Sequence, residues 1–306
     1  MAHAASLSLE DLYLDHRRFL WSLSYRMTGS ASDAEDVVQD TFVRVLERPP
    51  RRTDEPLRPW LVKVALNLSR DVLRRRRRRD YVGPWLPSPI ETDSEPPSHE
   101  PSSVDGRYDL LESVSFAFLV ALEALTPTQR AVLLLRDVFD YSVKETADAL
   151  DISEANAKTT HHRARRTLDA YDRSRQIPTA ERQQASAAAL RQFLHALERH
   201  DVASIETLLA DDVRTTTDGG GEFRSALKTI VGRDKVTRFY LAVAVNAAGA
   251  KVRMPALNGV LSIVVDIASP APGIAPRFTL TAELNAEGKI AHLYVVSATR
   301  KLTAIA

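Results

Sequence analysis

The chain has 306 residues, 44% of them hydrophobic and 26% charged, with a formal net charge of +1 and no cysteine. That composition is ordinary for a globular protein and excludes wholesale disorder. The missing cysteines exclude disulfide scaffolds, Cys-ligated zinc, iron–sulfur clusters and a thiol nucleophile. No apolar run approaches the roughly 20 residues of a membrane-spanning helix, and Met1 to Glu10 lacks the basic and apolar stretches of a signal peptide, so no membrane partner and a cytoplasmic location are expected.

From Leu9 to about Arg79 the apolar pattern is helical. Leu12, His16, Phe19, Leu20 and Leu23 follow a 3.6-residue period, and Val37, Val38, Phe42, Val45 and Leu46 follow it again. Thr28-Gly29-Ser30 breaks the first helix, Ser32 is expected to cap the second with Glu35 completing a capping box, and Pro49-Pro50 ends it. A third helix starts after Pro59 with Trp60, Leu61, Val64, Ala65 and Leu68, and Trp60 is expected in the core. Residues 81–107 are rich in Pro, Ser and Glu and read as a linker, in which Trp85-Leu86-Pro87 calls for a docking partner because an aromatic left in water forfeits its burial energy.

Helices return from Leu110 to Tyr171. Phe116–Leu125 is one, Thr126-Pro127 opens the next, and Tyr141–Leu168 reads as a helix-turn-helix. Val143–Leu150 is its first helix, with Ala147 at the close crossing. Asp151-Ile152-Ser153 is the turn, and the second helix from Glu154 has Ala157 facing inward. Beyond Arg182 two amphipathic helices (Leu190, Phe193, Leu194, Leu197; then Ile205, Leu208, Leu209) precede strands at Leu257–Ile267, Phe278–Leu284 and Ile290–Val296. Asn285-Ala286-Glu287-Gly288 is the hairpin turn. This order suggests an α+β domain with a conical cavity.

Charge is unevenly placed. Between Arg70 and Arg79 there are seven arginines and one acid, whereas Asp80 to Glu112 holds eight acids and one base, Arg107. The basic block is the footprint of a phosphate-binding surface or, more blandly, a solvated helix end.

Several of these motifs together resemble the extracytoplasmic-function (ECF) group of bacterial sigma factors. Asp33-Ala34-Glu35-Asp36-Val37-Val38-Gln39-Asp40-Thr41-Phe42 resembles that group's polymerase-binding helix. Trp60 to Leu68, with Asp71 and Arg74 following, resembles the −10-element helix. Leu125-Thr126-Pro127-Thr128-Gln129-Arg130 and Lys158 to Arg166 resemble region four. Trp85-Leu86-Pro87 and Asp218-Gly219-Gly220-Gly221 are similar to motifs of the subgroup that carries a C-terminal SnoaL-like domain. The subgroup's Asn-Pro-Asp-Lys-Leu is represented only by Lys301 and Leu302 within Ala298-Thr299-Arg300-Lys301-Leu302.

The resemblance implies a multidomain protein: two all-α sigma domains, a region-two helical bundle (8–80) and a region-four helix-turn-helix (110–175), then an α+β SnoaL-like cone-shaped barrel (183–303), with an acidic Pro-rich linker at 81–109. It implies the β and β′ subunits of core RNA polymerase and promoter DNA as partners, and no cofactor or metal. An acidic, apolar-striped helix suits a basic groove, so Asp36, Gln39, Asp40 and Val43 are expected at the polymerase. Asn67, Arg70, Arg74 and Arg75 are expected at the −10 strand, where unstacked bases and phosphates are held. Outward side chains of the recognition helix, Asn156, Lys158, Thr159, His162, Arg163 and Arg166, are expected at the −35 major groove. Trp85, Leu86, Pro87 and Asp218, Gly219, Gly220, Gly221 are expected to regulate, by contacting each other or a shared partner. Against a non-catalytic role stands a cone-shaped domain that senses a small ligand or is an enzyme, on a DNA-binding regulator independent of polymerase. Asp266, Glu283 and His292 on the strands would then point into the cone.

Overall fold

A computed structural model describes residues 9–47, 56–78, 81–92, 107–110, 112–175, 179–247 and 249–306. Arg79, Asp80, Pro49-Pro50, and the Asp93, Glu95, Pro96, Pro97, Glu100, Pro101 and Asp105 of the linker lie outside the described residues. The chain divides into two compact units. One comprises residues 1–79, 96–113 and 118–175, and the other 80–95, 114–117 and 176–306.

In the first unit, α1 (Leu9–Thr28), α2 (Ala31–Glu47) and α3 (Leu57–Arg77) form a bundle. Leu20, Leu23 and Met27 of α1 bury against Val37, Val38 and Phe42 of α2 and Leu61, Ala65 and Leu66 of α3, each set repeating at three- and four-residue steps. Ser30, not Ser32, caps α2: its hydroxyl accepts from Asp33 N at 3.2 Å, because Gly29 at φ 67 turns the chain two residues earlier than expected. Trp60 is half-exposed and is not a core residue, since Leu61, one position on, takes the inward face.

The unit continues with α4 (Phe116–Ala121, from Phe118 onward), α5 (Pro127–Asp137), α6 (Val143–Leu150), α7 (Glu154–Thr167) and α8 (Asp169–Ser174). Two fully buried arginines join these helices to the bundle. Arg26 donates to Ser113 Oγ at 2.7 Å and Leu110 O at 2.9 Å, and Arg130 donates to Met27 O at 2.8 Å. Burying a guanidinium costs heavily unless every N–H is directed at an acceptor, so such contacts specify one arrangement.

The second unit is α+β. Helices α9 (Ala180–Glu198), α10 (Val202–Leu208) and α11 (Arg233–Ala244) pack on one face of a six-stranded sheet of order β2-β1-β8-β7-β6-β3. Its strands are β1 (Leu209–Asp218), β2 (Ile230–Val231), β3 (Lys251–Arg253), β6 (Ile263–Asp266), β7 (Arg277–Leu284) and β8 (Ile290–Val296). A separate ribbon pairs β4 (Ala256–Leu257) with β5 (Val260–Leu261). All neighbours are antiparallel except β1 and β8. Residues alternate between faces. Val213, Leu280, Ala282, Leu293, Ile263 and Val265 join Phe193, Leu197 and Tyr240 in the core, while Asp218, Thr216, Glu283, His292 and Tyr294 take the opposite face. The expected strand over Leu257–Ile267 is broken, because Asn258 (φ 51) and Gly259 (φ 82) make a tight turn within it. Leu209 opens β1 instead of closing α10.

Candidate functional site

The helix-turn-helix is built by local chemistry. Thr126 and Gln129 form a capping box on α5, and Ser142 and Glu145 form another on α6. Asp151 takes the left-handed conformation (φ 58) after α6, and Ser153 Oγ accepts from Asn156 N at 3.2 Å to start α7. Ala147 and Ala157 are 4% and 2% exposed, as a close helix crossing requires. Asp137, buried at the end of α5, accepts from His161 Nε2 at 2.9 Å and from Arg165 Nε at 3.0 Å. Burial alone would raise its pKa, but these two α7 side chains hold it below the ordinary value. The clamp fixes one face of α7 and leaves Asn156, Lys158, Thr159, His162, Arg163 and Arg166 exposed on the remainder.

The arginine block on α3 divides by helical face. Arg74 and Arg75 are exposed, with Arg74 paired to Asp71 at 2.9 Å, and Asn67 is exposed beside Arg70. Arg70 is half-buried and donates to Thr128 Oγ1 at 3.3 Å, and burial together with Arg74 lowers its pKa. Arg76 turns inward. It donates to Thr28 O at 2.6 Å and pairs at 2.7 Å with Glu123, which also pairs with Arg130 at 2.5 Å. Burial opposes ionisation of Glu123, yet Arg130 and Arg76 hold its pKa below normal. On α2, Asp36, Gln39, Asp40 and Val43 are all exposed, Val43 at 47% although apolar, with Leu46 beside it at 65%.

In the second unit the Trp85-Leu86-Pro87 and Asp218-Gly219-Gly220-Gly221 segments meet. Asp218, at the end of β1, has no exposed side-chain surface. It accepts from Tyr81 Oη at 2.6 Å, Leu86 N at 2.7 Å, Gly220 N at 3.0 Å and Lys301 Nζ at 2.5 Å. Lys301 also donates to Leu86 O, and its ammonium lies 4.3 Å from the Trp85 ring centroid and 4.9 Å from that of Tyr81. Gly220 sits at φ 59 where a Cβ would come within 2.9 Å of Ala298 Cβ. Gly219 is buried and Gly221 packs against Val82. Pro87 and Leu86 are buried, and Trp85 is half-buried under Lys301. A second grip lies at Asn258, whose side chain accepts from Ile90 N at 3.0 Å and donates to Val114 O at 2.7 Å.

Asp266, Glu283 and His292 do not point into the cone. Register puts them on the sheet face opposite the helices, the parity set by their inward neighbours Val265, Ala282 and Leu293. Asp266 pairs with Arg277 at 2.5 Å, Glu283 accepts from Tyr294 Oη at 3.0 Å, and His292 Nε2 bonds Thr216 Oγ1 at 2.9 Å. The sequence reading missed Asp137, Glu123, Tyr81 and Asn258, which act through partners distant in the chain. Only the Asn258-Gly259 turn dipeptide carried a local signal.

No helix among the described residues is long and apolar enough to cross a membrane. Family models for Sigma-70 region 2 and Sigma-70, region 4 match residues 12–79 and 115–168. The ECF RNA polymerase sigma factor SigJ of Mycobacterium tuberculosis is 33% identical over 229 residues, 74% of this chain and 70% of SigJ. The crystal structure of SigJ matches 97% of this chain and 99% of its own, with a TM-score of 0.72 at 27% identity. SigG of the same species is 36% identical over 213 residues, but this chain spans only 55% of it. With both sigma regions in order and the α+β unit after them, the chain belongs to the extracytoplasmic-function group of RNA polymerase sigma factors.

Proposed function

We propose that this sigma factor engages the β and β′ subunits of core RNA polymerase through the α2 face of Asp36, Gln39, Asp40 and Val43. Asn67, Arg70, Arg74 and Arg75 meet the −10 strand, and Asn156, Lys158, Thr159, His162, Arg163 and Arg166 read the −35 element. The work is divided along the chain as 8–80, 110–175 and a regulatory 183–303, with 81–109 between them, and it is done in the cytoplasm where the polymerase is. The C-terminal domain tunes initiation through the Trp85–Pro87, Asp218–Gly221 contact, and it is not an enzyme.

The observation that carries the reading is the α7 surface: six polar side chains are exposed while the helix is anchored from beneath by Asp137. Side chains placed in this way reach base edges and phosphates in a major groove. The test is transcription by core polymerase on pooled genomic fragments, with the full chain, with R163A/R166A, and with D40A/V43A. Discrete start sites that depend on the full chain, and that are lost in both variants, are expected. Fragment binding that survives D40A/V43A with no initiation by the unaltered chain would overturn the reading in favour of a polymerase-independent regulator. Trp85→Ala is expected to change the strength of initiation, and an unchanged output would remove the linker contact from regulation.

A further inference from the structure

We infer that Asn258 is a positioning residue that sets how strictly this sigma factor measures the spacing between its two promoter elements, an inference that rests on the promoter reading above. One carboxamide holds both ends of a long segment. Its Oδ1 accepts from Ile90 N at 3.0 Å, its Nδ2 donates to Val114 O at 2.7 Å, and Asn258 N adds a bond to Ile90 O at 2.9 Å. Asn258 is 1% exposed and sits at φ 51, a conformation asparagine tolerates better than most side chains.

The grip continues on both sides. Gly259 N donates to Thr92 Oγ1 at 2.7 Å, Glu91 bridges Leu257, and Phe116 stacks on Tyr294 with centroids 5.4 Å apart. From Ile90 to Tyr108, whose N–H already bonds Asp137 O of α5 at 3.0 Å, the extended chain could span about 60 Å. The carboxamide instead holds Ile90 N and Val114 O within about 8 Å of each other. Beyond Val114 the chain enters α4 and with it the region-four match that starts at residue 115. Before Ile90 it is fixed at Leu86 by Asp218, close after the region-two match ends at residue 79. Asn258 therefore removes most of the slack from the covalent path that joins the two DNA-binding regions.

Slack is what spacing tolerance consumes. Each added base pair moves one element by about 3.4 Å and turns it by about 35° around the duplex axis. A long free tether follows such a change at little entropic cost, because loop closure depends only weakly on length. A tether shortened by the staple does not.

The experiment uses the full chain with core polymerase on a promoter recovered from the genomic pool, rebuilt with its spacer shortened and lengthened by single base pairs. Asn258→Asp keeps the acceptor for Ile90 N and the tolerance for positive φ, but it loses the donor to Val114 O. Phe116→Ala loosens the same segment from Tyr294 without touching Asn258, and it decides the matter if Asn258→Asp fails to fold. Ile263→Val, a mild truncation in the core of the same domain, is the control for general destabilisation. Hydrogen exchange over 112–118 reports whether the staple has opened.

We expect N258D to raise output at off-length spacers relative to the optimum by about fivefold, the worth of one net hydrogen bond, and F116A to raise it in the same direction through the lost ring stack, both with faster exchange over 112–118, while I263V keeps the parental profile. Faster exchange with an unchanged spacer profile would overturn the inference, as would a broadened profile in I263V. Unchanged exchange in N258D would show that the amide is not the link. No initiation by the unaltered chain at any spacer would instead sink the promoter reading.

Discussion

The buried Asp218–Lys301 pair permits a test in which the two partners are not equivalent. Asp218→Ala deletes the acceptor of four donors and takes the carboxylate away from the Lys301 ammonium, 5% exposed, which keeps Leu86 O and the faces of Trp85 and Tyr81 among its partners. Breaking one side of a buried ion pair costs about 3–5 kcal/mol, and the loss of Tyr81 and Leu86 as donors places this variant at the upper end. Lys301→Met keeps the stem volume against Trp85 and leaves the carboxylate with three donors, so its cost is about 2–3 kcal/mol. The double variant removes both charges together, and its cost is less than the sum of the singles by about 1–3 kcal/mol. Urea unfolding followed by Trp85 fluorescence in a W21F/W60F background reports the unit that holds the pair, which avoids treating a two-unit chain as a single transition. If K301M proves as costly as D218A, or if the double variant is additive, Asp218 is not the organising acceptor and the ledger of its four donors is wrong.

Three further outcomes follow from the same contacts. Arg74→Ala with Arg75→Ala is expected to reduce the slope of log affinity against log salt by about 1.4–1.8 for promoter DNA, whereas Arg76→Ala, which loses Glu123, lowers stability and leaves the slope alone; filter binding over a salt series separates them. His292 lies half-buried near Arg214, Glu283 and Tyr294, and burial with the Arg214 charge brings its pKa down from 6.5 to about 4. It is neutral when folded, so its contribution to stability is intact above pH 6.5 and is lost as pH falls toward 4. His292→Gln should flatten that part of the melting-temperature profile, while Glu283, whose pKa burial raises, contributes with the opposite sign in both proteins. Asp137→Asn leaves His161 and Arg165 poorly matched and should lower −35 affinity about tenfold or more in mobility shifts, even where far-ultraviolet circular dichroism shows α7 intact.

The helices and the exposed face of α7 were legible because their signals are local. Period, capping boxes at Thr126 and Ser142 and the small residues Ala147 and Ala157 lie within a few residues of what they determine. The strand β1 was not legible. Arg214 to Asp218 is polar by type, yet Thr215, Thr216 and Thr217 are buried on both faces with side-chain hydrogen bonds, Thr215 to Tyr240 and Thr216 to His292. Orientation of Asp266, Glu283 and His292 failed for a related reason: alternation fixes which residues share a face but not which face the helices cover. The meeting of Trp85–Pro87 with Asp218–Gly221 came from family resemblance, and its chemistry, with Tyr81 bonded across 137 positions, could be seen only once the chain was folded.

Within the first unit, α3 is held against the helix-turn-helix: Arg70 reaches Thr128, Lys63 pairs with Asp151 at 3.4 Å, and Arg76 shares Glu123 with Arg130. Under the promoter reading these helices serve DNA elements separated by more than a helical turn, and both cannot be occupied while α3 and α6 stay together. The free protein is thus a reservoir of a non-binding state. Measured affinity is the intrinsic value scaled by the fraction of molecules that have parted, and each contact between α3 and region four lowers that fraction. Core polymerase, by favouring the parted form, would then raise DNA affinity without contributing a single contact to the duplex.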